Sequence, residues 1–429
     1  MPSKFQTVRG MRDLMPEEAR KKQYIEDKFR REAEAYGFEP IETPEVEDFA
    51  LLTAKGGGGE AIKEDIYYFK DKSGRELGLR FDLTVSLARF IASNPQLPKP
   101  FRRYQIGKVY RYDRPGPGRF REFSQADVDI VGSDSILADF ECIALAYKIL
   151  KDLGIGFNPG KGKIRVSNKK LLEEIALASG VQQGQAVECM RVLDKLDKIG
   201  FEGVRAELKE KKISAKILDI VAENDLKKIE KLVGEKKGLE ELKELLEYCD
   251  KAGISDLVQF DASLARGLEY YTGNVFEFGM QGSPSIGGGG RYDGLIALYG
   301  GPPTPAVGWS LGVDRLIDLV AKGKAERPRA WKTKTKVLVV PIGLEAGKEA
   351  LRIAKELRSM GIPTENDLMQ RNLQKNLEFA SKRGIPFVAI VGENELKEKA
   401  LLVKELQSGK QFKVRFGKLD ELKKIVQGE

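Results

Sequence analysis

Apolar residues recur at helical spacing over 16–36, with Pro16 near the start and Gly37 just beyond the end, which predicts a long helix. Over 38–44, Pro40 and Pro44 disfavour helix and the chain reads as extended. Between 103 and 131, short apolar or alternating stretches flank a Gly/Pro-rich loop at 114–118, so two antiparallel strands joined by a long basic turn are expected. From 171 to 249, Lys, Glu, Leu and Ile recur at helical spacing with few aromatics, as in a separate helical insertion. Strand-like segments resume at 258–264 and 275–278. The four glycines at 287–290, taken alone, read as a flexible turn, and an apolar helix is expected over 308–320.

A basic linker at 322–334 carries Pro328 and six Lys or Arg residues. Beyond it, strand and helix patterns alternate: buried strands at 336–340 and 386–391, helices at 346–360 and 373–382. That alternation predicts a small α/β domain with a mostly parallel sheet. A chain of 429 residues exceeds one ordinary core, so two or three domains are expected, with no internal repeat.

Composition narrows the function. Hydrophobic residues at 41% and charged residues at 32% suit a soluble folded protein, and no apolar run approaches the roughly 20 residues that cross a bilayer. The first residues form no hydrophobic signal region, and Cys142, Cys189 and Cys249 have neither metal-ligand nor disulfide spacing. A cytoplasmic location, away from membranes, is the expectation. The net charge of +8 permits a polyanionic partner without requiring one. Histidine is absent altogether. That excludes Ser-His-Asp and Cys-His catalysis and any His-containing zinc site. Chemistry must then rely on Arg, Lys, carboxylates, Tyr, backbone groups or the substrate, which suits charge-stabilised phosphoryl or nucleotidyl transfer.

The segment Val109-Tyr110-Arg111-Tyr112-Asp113-Arg114-Pro115-Gly116-Pro117-Gly118-Arg119-Phe120-Arg121-Glu122-Phe123 concentrates four arginines around a tight turn. Guanidinium forks grip phosphate without losing charge, and Phe120 or Phe123 could stack on a base. The plainer reading is a solvated basic hairpin. This segment resembles the second signature motif of class II aminoacyl-tRNA synthetases. The resemblance implies that Arg111 holds the ATP α-phosphate and Asp113 the adenine amine, with Phe123 stacked on adenine and Arg119 near the terminal phosphates. Pro40 to Pro44 resembles the first motif, at a homodimer interface. Ala306-Val307-Gly308-Trp309-Ser310-Leu311-Gly312-Val313-Asp314-Arg315 resembles the third, whose Arg315 would pack on adenine and reach the γ-phosphate. Asp113 and Asp314 stand where that family commonly has Glu.

Two further segments resemble the signatures of histidyl-tRNA synthetases: Leu264-Ala265-Arg266-Gly267-Leu268-Glu269-Tyr270-Tyr271-Thr272-Gly273, with Glu269 where Asp is usual, and Gly287-Gly288-Gly289-Gly290-Arg291-Tyr292-Asp293-Gly294-Leu295. The likeness implies a histidine pocket. Leu79-Arg80-Phe81-Asp82-Leu83-Thr84 would take the α-amino group through Asp82 and Thr84, with Leu83 alongside and Gln125 assisting. Asp129 and Tyr271, beside Tyr270, would receive the imidazole, a carboxylate and a phenol reading its two nitrogens. Arg266 and Arg111 would be the catalytic cations, since adenylate formation needs alignment and charge neutralisation but no general base. Mg²⁺ would accompany ATP, and no protein metal site is expected.

The resemblance implies an α+β protein: a class II catalytic domain with an antiparallel sheet (1–168 and 256–325), a helical insertion (169–255) and a C-terminal α/β anticodon-binding domain (336–429). The insertion resembles the eukaryotic and archaeal version, notably at Lys195-Leu196-Asp197-Lys198, and would clamp the acceptor arm. Arg114 is the candidate for reading the extra 5′ guanosine of histidine tRNA, and Arg371 and Lys375, with Lys382, are candidates for the anticodon stem. The expected partners are histidine tRNA, L-histidine, ATP and a second copy of the chain. Two other readings remain: a histidine-sensing regulatory relative, and a non-catalytic RNA-binding protein. The first would erode Arg111, Arg119, Arg266 and Arg315, and the second leaves the pocket residues unexplained.

Overall fold

The computed structural model describes residues 5–54, 64–116, 118–155, 157–265, 270–281, 285–322 and 331–427. The chain divides into two compact units, residues 1–13 with 22–325 and residues 14–21 with 326–429. In the first, the strands are β1 (Glu39–Pro40), β2 (Val46–Asp48), β3 (Tyr68–Lys70), β4 (Glu76–Leu79), β5 (Phe101–Tyr110) and β6 (Glu122–Val131). They continue with β7 (Gly162–Asn168), β8 (Val258–Phe260), β9 (Asn274–Met280), β10 (Gly287–Arg291) and β11 (Ala306–Gly312). Among the described residues these make one eight-stranded sheet, β1-β5-β6-β11-β10-β9-β7-β8, and a small sheet, β2-β4-β3. In the large sheet β1–β5 and β7–β8 pair parallel, and the other pairs are antiparallel.

The hairpin expected around the basic loop is β5 and β6, paired from Phe101↔Val131 to Tyr110↔Glu122. Side chains alternate across a strand, so Tyr104, Val128 and Trp309, which are neighbours in register, share one face. The helix Pro16–Ala35 packs Phe29 edge-on against Tyr104 and Trp309, with ring centroids 6.0 and 5.8 Å apart. The opposite face carries Arg103, Asp129 and Gly308 in the same register, together with Gln125 and Asp127. One face of the hairpin is therefore core and the other is polar.

Two expectations for this unit need correction, the apolar helix over 308–320 and the strand over 258–264. The four glycines form β10, an inner strand of the sheet. A Cβ on Gly289 would lie 2.0 Å from the Gly308 carbonyl oxygen and 2.6 Å from Trp309 Cβ, so glycine is what lets β10 lie beside a strand bearing tryptophan. The stretch 308–320 is half strand, β11, and half helix, Val313–Lys322. A short, largely apolar run such as β11 cannot be told from a buried helix by periodicity. The strand expected over 258–264 stops at Phe260, after which Asp261 closes a turn by accepting the Ser263 amide at 2.9 Å.

The region between β7 and β8 is helical, including Lys169–Ala178, Leu196–Glu210 and Lys237–Lys251. Asn168 caps the first of these through the Leu171 amide at 3.2 Å. Leu239, Leu242, Leu245 and Cys249 form the buried stripe of Lys237–Lys251.

The second unit holds β12 (Val337–Pro341), β13 (Thr364–Asn366), β14 (Phe387–Val391), β15 (Ala400–Glu405) and β16 (Gln411–Arg415), in the order β13-β12-β14-β15-β16. Val337, Val339, Ala389 and Val391 face the helices Leu344–Ser359 and Leu419–Gln427. Leu338, Val340, Val388 and Ile390 face Leu373–Arg383. The sheet is mixed rather than mostly parallel: β13-β12-β14 is parallel and the hairpin β15–β16 adds two antiparallel pairs. The linker at 322–334 falls largely outside the described residues. No helix among the described residues is long and apolar enough to cross a membrane.

Candidate active site

The polar face of the β5–β6 hairpin opens onto a cavity of about 350 Å³. Arg111, Asp113, Arg119, Phe123, Gln125, Tyr271 and Arg315 line it, together with Glu277 and Asp314. These side chains come from the hairpin, the loop between its strands, β9 and the segment just before it, and the start of the helix Val313–Lys322. Arg111 donates from Nε to the Phe81 carbonyl at 3.1 Å, and its guanidinium lies 5.2 Å from the Phe123 ring centroid. Arg315 donates from Nη1 to the Ser285 carbonyl. Asp314 accepts the Ser124 amide at 2.8 Å and pairs with Arg12 at 3.1 Å. Arg12 also lies 4.3 Å over Phe120, which ties residues near the start of the chain to the basic loop. The wall is thus cationic and aromatic at one end.

A smaller cavity of about 40 Å³ adjoins it, and Tyr271, Gly288 and Ser310 border both. Its lining includes Thr84, Asp127, Asp129, Tyr270 and Tyr292. Thr84 begins the helix Thr84–Ser93, with Leu83 buried as its preceding residue, and Asp82 Oδ1 accepts the Val85 amide at 3.0 Å. Tyr270 donates to the Tyr271 hydroxyl at 3.2 Å. Asp129 is 3% exposed, with Oδ2 2.5 Å from Arg103 Nη2 and Oδ1 accepting the Tyr292 hydroxyl. Burial raises its pKa to about 6, against the lowering effects of Arg103 and Tyr292. Burial likewise pushes Asp127 up to about 7. Desolvation drives the Tyr270 and Tyr292 phenols up, so both stay neutral donors.

Gly308 is what makes room for Asp129. A Cβ there would lie 2.0 Å from Asp129 Oδ1. Behind the sheet, Arg291 is buried against Asp139, which it meets from Nε at 3.1 Å, and it donates to the Ser133 and Ser135 carbonyls at 2.8 and 2.9 Å. The second of the two signature-like segments therefore contributes a strand, a structural arginine and the Tyr292 hydroxyl.

Of the residues singled out from sequence, Arg111, Asp113, Arg119, Phe123, Gln125 and Arg315 border the outer cavity, and Thr84, Asp129 and Tyr270 the inner one, with Tyr271 between. Arg266 and Glu269 lie outside the described residues. Arg114 is exposed in the loop. In the second unit Lys375 is exposed on its helix. Arg371 is not a solvated helix residue: it pairs with Asp367 at 3.1 Å and lies 4.5 Å over the Phe379 ring. Sequence reasoning missed Arg103, Asp127 and Tyr292. Asp127 carried a usable signal, since it alternates with Gln125 and Asp129 on one strand.

A family model described as histidyl-tRNA synthetase matches residues 10–316, and one described as an anticodon binding domain matches 336–428. The chain is 35% identical to histidine–tRNA ligase 1 of Bacillus cereus over 435 residues, spanning 97% of this chain and 98% of that one. It is 36% identical to the histidine–tRNA ligase of Pyrococcus horikoshii over 440 residues, spanning 98% and 99%. Among solved structures it is similar to histidyl-tRNA synthetase from Nostoc sp. PCC 7120, with a TM-score of 0.84, 31% identity and coverage of 99% and 100%. Full-length likeness, joined to a cationic cavity that opens onto an acidic and phenolic one, settles the assignment: the chain belongs to the histidyl-tRNA synthetase family.

Proposed function

We propose that the chain activates L-histidine with ATP to histidyl-adenylate and transfers the histidyl group to the 3′ end of histidine tRNA. The observation that carries this reading is the pairing of the two adjoining cavities. The outer one suits a nucleotide: Phe123 offers a face for adenine, and Arg111, Arg119 and Arg315 offer permanent charge for phosphates. The inner one suits the amino acid, its α-amino group toward Asp82, Thr84 and Gln125 and its imidazole toward Asp129 and Tyr271, beside Tyr270.

The chemistry needs no general base within the protein. The histidine carboxylate is already ionised when it attacks the α-phosphorus, and pyrophosphate leaves. Arg111 neutralises the charge that develops on the α-phosphate, and Arg266 is proposed to do so beside it. In the second step the terminal adenosine hydroxyl attacks the acyl carbon, a phosphate oxygen of the adenylate takes its proton, and AMP leaves as the acyl–phosphate bond breaks. Mg²⁺ is proposed to bind with ATP. Such an ion takes one or two carboxylates plus phosphate oxygens, and Glu277 in the outer cavity offers one carboxylate for that role. When bound it would neutralise phosphate charge.

Arg111→Ala tests the catalytic assignment. Loss of one charge-stabilising donor is expected to lower kcat for adenylate formation by about 10²-fold or more. An unchanged kcat in ATP–pyrophosphate exchange would remove Arg111 from the mechanism.

The helical insertion (169–255) is proposed to clamp the acceptor arm, with Arg114 reading the extra 5′ guanosine. The second unit is proposed to bind the anticodon arm, with Lys375 better placed to reach RNA than the internally paired Arg371. A homodimer is proposed as well, supported by the first-motif resemblance and by the exposed Val46, Tyr68 and Phe69 on the small sheet. Sedimentation equilibrium should return twice the chain mass of 47.8 kDa, and a monomer at micromolar concentration would refute the dimer.

A further inference from the structure

On its cavity-facing side β6 presents three polar side chains in a row, Gln125, Asp127 and Asp129, and the function proposed above uses the first and last. Asp127 is 2% exposed. It accepts the Ser310 hydroxyl, which in turn accepts from Gln125 Nε2, but its Oδ1 has no hydrogen-bond partner among the described residues. Arg103, directly opposite Asp129 in register, is fully buried. It meets Asp129 as an ion pair at 2.5 Å, yet none of its Nε, Nη1 or Nη2 makes an aligned hydrogen bond among the described residues. More than nine in ten buried polar atoms in finished protein interiors are paired. A guanidinium with unspent N–H groups beside a carboxylate with an unspent oxygen marks a site built for a polar occupant.

The charges point the same way. Asp127 and Asp129 share one close cation, Arg103, whose field acts on both. The Asp82 carboxylate just before the helix Thr84–Ser93 adds to the negative field at both aspartates, and Asp127 also acts on the Arg80 guanidinium. Tyr270, Tyr271 and Tyr292 face the cavity as phenols, and Cys142 lies behind Asp129 as a buried thiol. Two buried carboxylates on one guanidinium leave a deficit of one positive charge, which burial makes costly.

We propose that Asp127 is a third reader of the histidine side chain, and that the inner pocket takes the imidazole together with one proton shared among the ring, Asp127 and Asp129. This rests on the reading of the inner cavity as a histidine site. The bound side chain is then an imidazolium that completes the charge balance. Neutral side chains of similar size, such as those of Gln and Asn, would leave the two carboxylates under-compensated, which adds a charge criterion to the hydrogen-bond criterion for histidine. The proton count follows. At pH 8 the carboxylates are ionised and free imidazole, with a pKa of about 6.5, is neutral, so binding takes up close to one proton. At pH 5.5 Asp127, most of Asp129 and free imidazole carry protons, so binding releases more than one.

Calorimetric titration of the wild-type protein with L-histidine, in two buffers of different ionisation enthalpy, reads that count directly. Uptake of more than half a proton at pH 8, passing to release near pH 5.5, is expected. Asp127→Asn should abolish the uptake and raise the histidine KM in ATP–pyrophosphate exchange at least tenfold, with the ATP KM unchanged. It should also narrow discrimination against 1,2,4-triazolylalanine, a weakly basic isostere. No uptake by the wild type at pH 8 overturns the proposal, as does wild-type histidine KM in Asp127→Asn. Should that variant fail to fold, the wild-type titration decides alone. Absence of histidine-dependent exchange in the wild type would instead sink the functional reading beneath it.

Discussion

Asp129 is held before any substrate arrives. Arg103 takes one carboxylate oxygen, Tyr292 the other, and Gly308 leaves the space in which the group sits. A carboxylate oxygen has two lone pairs, so an imidazole N–H can still be accepted, and the two fixed partners determine where. The same arrangement restricts what the neighbouring strand can carry. Gly308→Ala would drive a methyl group to 2.0 Å from Asp129 Oδ1, and either the strand or the carboxylate must move. The histidine KM of this variant should rise by about tenfold or more, while the ATP KM stays within a factor of about two. Equal losses for both substrates would show instead that the sheet itself had been displaced.

At the level of elements, β10 decides how the site is built. Its glycines let Trp309 and Phe276, opposite Gly289 in the two neighbouring strands, occupy the face that meets the helix layer, while Gly288 borders both cavities. Gly289→Ala should therefore cost about 3 kcal/mol or more in urea unfolding, because the new Cβ meets rigid backbone rather than a flexible side chain. An unchanged unfolding midpoint would mean that β10 and β11 are not tightly paired. The β5–β6 hairpin could be read from sequence because its strands alternate and its loop is rich in glycine and proline. β11 could not, since its short apolar run reads equally well as a buried helix, and β10 could not, since a run of glycines carries no hydrophobic pattern at all. The hairpin β15–β16 and the small sheet β2-β4-β3 were missed for want of a strong pattern in short edge strands. Within the site, Arg111, Gln125 and Asp129 were legible through motif resemblance. Arg103 and Tyr292 were not, because they reach Asp129 from other strands, and only register brings them together.

Across the whole molecule the absence of histidine becomes a constraint that the architecture satisfies. The outer cavity is furnished with arginines, which keep their charge at any physiological pH, and the inner one with carboxylates and phenols. Both lie within one compact unit built on the eight-stranded sheet, and the second unit carries the domain matched to anticodon binding. The substrate thus brings the one imidazole that the protein lacks. Amino-acid-dependent ATP–pyrophosphate exchange across the twenty standard amino acids tests this account most directly. Exchange with L-histidine should exceed that with any other amino acid by at least about a thousandfold in kcat/KM, as expected for a site built to hydrogen-bond its substrate. Exchange driven by a different amino acid, or none with histidine, would contradict it.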